Sequence, residues 1–124
     1  YLLAAFDVKA PTFRHEIFKE YKGALAENYV LQSLVAQMDK QPYYWTSNFS
    51  AEVDFVLQNE LDIIPVEVKS GTSVTGKSLT VYDSKYAPKY KLRYSMLNLS
   101  KNGTLINIPL FLADWTFDLV VRGL

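Results

Sequence analysis

The run EVDFVLQNELDIIPVEVK, residues 52–69, constrains this chain more than any other stretch. Residues 52–58 alternate apolar and polar, residues 63–70 are rich in β-branched side chains, and Asn59-Glu60 between them suits a tight two-residue turn. The expectation is an antiparallel hairpin in which Gln58 faces Leu61, Val56 faces Ile63, Asp54 faces Pro65 and Glu52 faces Glu67. Side chains alternate along a strand, so Asp54, Glu67 and Lys69 are expected on one face. Asp54 and Glu67 then become diagonal neighbours roughly 7–8 Å apart, with room for an oxygen-ligand cation between them.

The rest of the chain reads as one α/β domain over residues 1–124. A long helix is expected over about residues 16–38, where Ala24, Leu31, Leu34, Val35 and Met38 recur at helical spacing. KAPTFRHE before it reads as a linker with Thr12 as a cap, and YLLAAFDV at the start is an apolar stretch too short to classify. YYWTS, residues 43–47, adds a strand ahead of the hairpin. KSLTVYDSKY suits a short helix closed by Ala87-Pro88, YKLRYSML a further strand, and Asn102-Gly103 a turn. The segment LINIPLFLADWTFDLVV begins as a strand and ends as a helix.

With 124 residues there is chain enough for one core and too little for two. Hydrophobic residues make up 49%, which argues against disorder. The absence of cysteine excludes disulfides and thiolate metal sites and fits a reducing compartment. With neither a signal-peptide pattern nor a membrane-spanning apolar run, the expected location is cytoplasmic. Thirteen basic residues balance thirteen acidic ones, which speaks against strong non-specific nucleic-acid binding but allows a local basic patch. The chain opens without methionine, so it is expected to be the C-terminal part of a longer protein.

Residues 71–78 spell G-x-x-x-x-G-K-S, the pattern of a phosphate-cradling loop between strand and helix. That reading is rejected, and no nucleotide-binding residue is assigned. Too little chain follows Ser78 for the parallel strands and crossovers a nucleotide fold needs. The strand before it carries Glu67 and Lys69, where such a strand is ordinarily apolar on both faces.

Glu67-Val68-Lys69 carries the alternative chemistry. On the preceding helix, Glu27 falls about 40° around from Leu31, on the apolar stripe, and an inward carboxylate needs a partner. Glu27, Asp54, Glu67 and Lys69 therefore point to one place. Two carboxylates and a backbone carbonyl suit Mg²⁺, which polarises a phosphate and acidifies a bound water. A lysine alongside can orient that water and offset charge on the phosphorane. The competing readings are an ion pair at a sheet edge and a buried ion-pair network with no chemistry.

The blocks YKGALAENYVLQSL, YYWTSNFSAEVDFVLQ, IIPVEVKSG and KSLTVYDSKYAPKYKLRYSMLN together resemble the uncharacterised domain found C-terminal to AAA-type ATPase modules in bacteria and archaea. That domain is similar to the PD-(D/E)XK nuclease superfamily, and the resemblance spans residues 18–112. It implies a restriction-endonuclease-like core, a central mixed sheet in αβββαβ order flanked by helices, with an ATPase module upstream. It also implies site roles for Glu27, Asp54, Glu67 and Lys69, with Asp54 and Glu67 holding Mg²⁺ or Mn²⁺. Val53 stands where the superfamily pattern has proline, and Gly76 before Lys77 looks like an accident of spelling.

The function expected first is a Mg²⁺-dependent DNA phosphodiesterase attached to an ATPase. The alternative is a non-catalytic module that binds nucleic acid or protein and regulates that ATPase. Lys85, Lys89, Lys91 and Arg93, interleaved with Tyr86, Tyr90 and Tyr94, form the best candidate for contacting a phosphate backbone, against a reading as solvated surface. Tyr43, Tyr44 and Trp45 read as core aromatics rather than base-stacking groups. His15 reads as a surface residue.

Overall fold

The computed structural model describes residues 12–48 and 51–122, with side chains over 21–48 and 51–120. The apolar start of the chain and the side chain of His15 lie outside these residues. Helix α1 (Thr12–Gln37) leads into strands β1 (Tyr43–Thr46), β2 (Glu52–Asn59) and β3 (Asp62–Val68). Helix α2 (Ser78–Tyr86), strands β4 (Lys91–Ser95), β5 (Ser100–Asn102) and β6 (Leu105–Pro109), a 3-10 turn (Leu110–Trp115) and helix α3 (Thr116–Arg122) follow. The helix thus starts within the segment expected to be a linker, and the expected turn around Asn102-Gly103 contains the short strand β5.

The strands form one mixed sheet in the order β1-β2-β3-β4-β6-β5. β1, β2 and β3 run antiparallel, β4 lies parallel to both β3 and β6, and β5 returns antiparallel on β6. The parallel β3–β4 pair requires a long crossover, and α2 supplies it. Strands buried on both faces need apolar side chains at successive positions. Ile106 and Ile108, with Tyr94 and Val66, are accordingly fully buried in the centre.

Two apolar clusters cover the two faces. The larger gathers Val30 and Leu34 of α1 with Phe55, Leu57, Ile64, Val66, Val68, Leu92, Tyr94, Ile106 and Ile108. The smaller joins Leu79 and Tyr82 of α2 to Val53 and Val56, with Trp45 against them. Gln37 ties the end of α1 to the C-terminal turn: its Nε2 donates to Ala113 O at 2.9 Å, and its Oε1 accepts from Phe117 N at 3.3 Å. Tyr94 donates its hydroxyl to Thr116 Oγ1, which itself donates to Ala113 O, so a buried phenol fastens the same turn to the sheet.

Three expectations need correction. The hairpin turn is Glu60-Leu61, because Asn59 pairs with Asp62, and the register lies two residues from the expected one. The expected register would have set Leu57 against Asp62; the observed one sets Leu57 against Ile64 and Phe55 against Val66, all in the larger cluster. Apolar pairing decides the register even though Glu60 must adopt a left-handed φ of 54°. Tyr43 and Tyr44 are not core residues: β1 is an edge strand, and they are 56% and 73% exposed. Glu27 does not point into the core; it stays exposed beside Val30 and Leu34.

Candidate carboxylate–lysine site

A break in the β1–β2 ladder creates the site. Tyr43 pairs with Val56 and Trp45 with Val53, so Tyr44 alone stands opposite both Asp54 and Phe55. β2 therefore bulges at Asp54. Such a bulge re-aims side chains and strengthens local twist. Its effect is visible in the packing: Val53 and Val56, an odd number of residues apart, both join the smaller cluster. Asp54 is thereby released from simple alternation. Its Oδ2 accepts a hydrogen bond from Val68 N at 2.7 Å, beyond the last paired residues Phe55 and Val66.

The carboxyl of Asp54 is pushed up from 3.8 to about 6. Burial is the largest cause, with the negative charges of Glu27 and Glu67 adding to it. The Val68 N–H and the Lys69 ammonium oppose the rise without cancelling it. Glu27 is likewise raised, first by partial burial and then by Glu52, and Lys69 again acts in the opposite direction. Glu27, Glu52 and Asp54 share a cavity of about 180 Å³ with Tyr44, Trp45, Thr46 and Val53. Asp54, Glu67 and Lys69 are thus electrostatic neighbours, and Glu27, though exposed on the helix, is close enough for its charge to act on Asp54.

Glu67 is enclosed differently. Only 4% of it is exposed. It stands in register with Arg93 on the adjacent parallel strand, and Arg93 Nε donates to its Oε2 at 3.0 Å. Lys69 Nζ lies 3.4 Å from the other oxygen, Oε1. On the loop side, a Cβ added at Gly76 would overlap this carboxylate, with Glu67 Cδ only 2.9 Å away. The glycine that completed the phosphate-loop spelling therefore sits against an anion, where any side chain would collide.

The other candidate positions disperse. Lys85 Nζ lies 5.5 Å over the Trp45 ring, and Lys89 pairs with Asp62 at 3.4 Å. Lys91 meets Asp83 at 2.8 Å, and Arg93 serves Glu67. Each of the four cations has a local partner instead of contributing to one open basic face. Sequence reasoning missed the roles of Gly76, Glu52 and the Arg93–Glu67 pair. Arg93 had a readable signal, an arginine between Leu92 and Tyr94 on a buried strand; Gly76 had none.

Among the described residues, no group of three or more acidic or imidazole side chains closes into a metal cage. Mg²⁺ usually takes one or two carboxylates and keeps water or phosphate oxygens for its other positions. Asp54 Oδ1 has no protein donor among the described residues, and Glu67 Oε1 lies between the long Lys69 contact and the backbone at Gly76.

No helix among the described residues is long and apolar enough to cross a membrane. No curated protein and no solved structure matches the chain. A family model does match, over residues 22–111, a span that includes α1 from its middle, the bulged hairpin, the loop at Gly76 and the strand bearing Arg93. The chain belongs to the family described as a domain of unknown function, DUF4143.

Proposed function

We propose that this chain is a PD-(D/E)XK-type domain that cleaves DNA phosphodiesters with Mg²⁺ or Mn²⁺, attached in its full-length protein to an AAA-type ATPase module. The observation that carries the reading is the placement of Asp54, whose Oδ2 accepts the Val68 N–H at 2.7 Å at the end of the sheet that carries Glu67 and Lys69. Burial and two neighbouring acids raise its carboxyl to about 6, and a divalent cation would relieve that charge. The order α1-β1-β2-β3-α2-β4 agrees with the αβββαβ core of that superfamily and supports the reading.

In this scheme the carboxylates of Asp54 and Glu67 would hold the cation. When bound, the ion polarises the scissile phosphate and acidifies an attacking water. Lys69, whose side chain is 33% exposed, supplies a positive charge beside the phosphoryl oxygens and orients the water through its ammonium protons. Glu27 lines the same cavity as Asp54 and would complete the site.

The test is cleavage of duplex, single-stranded and branched DNA in Mg²⁺ or Mn²⁺, beside Lys69→Ala and Asp54→Asn. Metal-dependent cleavage by the parent chain, lost in both variants, is the expected result. Cleavage that persists in both variants would overturn the assignment.

A second reading has its own observation. Glu67 is almost fully buried and both of its oxygens face cations, as in a satisfied internal ion pair. This favours a non-catalytic module that binds nucleic acid or protein and regulates the attached ATPase. Its signature is DNA retention, or a changed ATP hydrolysis rate of the full-length protein, with no Mn²⁺ binding by the chain.

A further inference from the structure

Glu67 is held from three directions. Arg93 lies beside it on β4, in parallel register, and takes Oε2 through Nε at 3.0 Å. Lys69 reaches Oε1 at 3.4 Å. Gly76 closes the third side with no room for a Cβ. The two cationic contacts are unequal. The Arg93 side chain is 14% exposed and its contact is short, whereas Lys69 is 33% exposed and its contact is long. A guanidinium is rigid and always charged, and an ammonium on a flexible stem is not comparably fixed.

We propose that Arg93 and Gly76 are positioning residues that lock the Glu67 side chain, with Oε2 anchored to Arg93 and Oε1 set between Gly76 and Lys69, where a divalent cation would take the place of Lys69. This rests on the metal-dependent reading above. It gives Arg93 a role separate from any nucleic-acid contact, because its Nε is already committed to a buried carboxylate. The loop of residues 71–77 gains a purpose as well, since at Gly76 it forms one wall of the Glu67 socket. The outer partners that orient a ligating carboxylate ordinarily govern metal affinity by about 10–100-fold.

Two measurements on the 124-residue chain test the proposal. The first is Mn²⁺ binding by calorimetry for the parent, Arg93→Gln and Arg93→Lys. The expected result is at least about a 10-fold weakening in Arg93→Gln and partial recovery in Arg93→Lys. Unchanged affinity in a folded Arg93→Gln chain, or tighter binding, overturns it; tighter binding would make Arg93 a competitor of the metal. The second needs no metal. Thermal midpoints are compared for Gly76→Ala, Glu67→Ala and the double variant. If Gly76 serves to accommodate Glu67, Gly76→Ala lowers the midpoint in the parent and has little further effect once Glu67 is truncated. Additive losses overturn the socket. If the parent chain binds no Mn²⁺, the metal reading falls, and the double-variant comparison alone decides whether the socket positions Glu67.

Discussion

Asp54→Asn should make the protein more stable at neutral pH while removing a proposed metal ligand. The folded state raises the Asp54 carboxyl from 3.8 to about 6, so it binds the proton more tightly than the unfolded chain does. Between those values the folded state carries more protons, and stability therefore falls as pH rises from about 4 to 6. A displacement of that size corresponds to about 3 kcal/mol. Asp54 stays partly open to solvent, and screening reduces the figure to about 1–2 kcal/mol. Asparagine has the same shape, cannot ionise, and keeps an oxygen to accept the Val68 N–H. Urea unfolding of both proteins across pH 4 to 8 measures the difference. The variant should gain about 1–2 kcal/mol at pH 7.5, seen as a higher midpoint at an unchanged slope, and the gain should vanish near pH 4. A variant less stable than the parent at pH 7.5 would mean that the ionised carboxylate is stabilising where it stands. The strained-carboxylate argument would then be wrong.

Mg²⁺ at about ten times its dissociation constant should raise parent stability by about 1.4 kcal/mol and leave Asp54→Asn nearly unaffected, as read by thermal melts with and without the ion. Gln37→Ala removes the bonds to Ala113 O and Phe117 N and should cost about 1–3 kcal/mol in urea unfolding, with faster amide exchange in the C-terminal turn. Glu60→Gly relieves a left-handed residue at the exposed hairpin turn and should stabilise the chain by up to about 1 kcal/mol; a loss would show that the turn is held by side-chain contacts instead.

The secondary structure was largely legible, and the nearness of Asp54, Glu67 and Lys69 was more legible than their arrangement. Asp54, Glu67 and Lys69 could be singled out because charged residues on apolar strands are costly unless they meet partners, whereas the same argument put Glu27 inward and the helix leaves it exposed. Their geometry depended on features without a local signature. The bulge at Asp54 carries no glycine or proline and exists only because β1 pairs across it. The hairpin register followed Phe55, Leu57, Ile64 and Val66 finding one cluster, which outweighed the turn propensity of Asn59. Tyr43 and Tyr44 looked like core residues because aromatic strands usually are, and only the strand order makes β1 an edge. Gly76 looked incidental because its neighbour in space, Glu67, stands nine positions away on a different element.

The mixed character of the sheet explains why these residues meet at all. β3 ends at Val68, and its carboxyl end carries Glu67 and then Lys69. β4 is parallel to it, so the same end of the sheet receives Arg93 in register with Glu67. β2 is antiparallel, so that end is where β2 begins, at Glu52 and Asp54. Open α/β sheets bind ligands beyond the carboxyl ends of their parallel strands, and here an antiparallel neighbour delivers a second carboxylate to that edge from its opening residues. The bulge then frees Asp54 from the ladder, so its carboxylate replaces a strand partner at the Val68 N–H. Removing the bulge by deleting one residue of β2 should return Asp54 to ordinary alternation and abolish its bond to Val68. The raised carboxyl would fall with it, because burial and the nearby acids act only while the side chain is held at that corner.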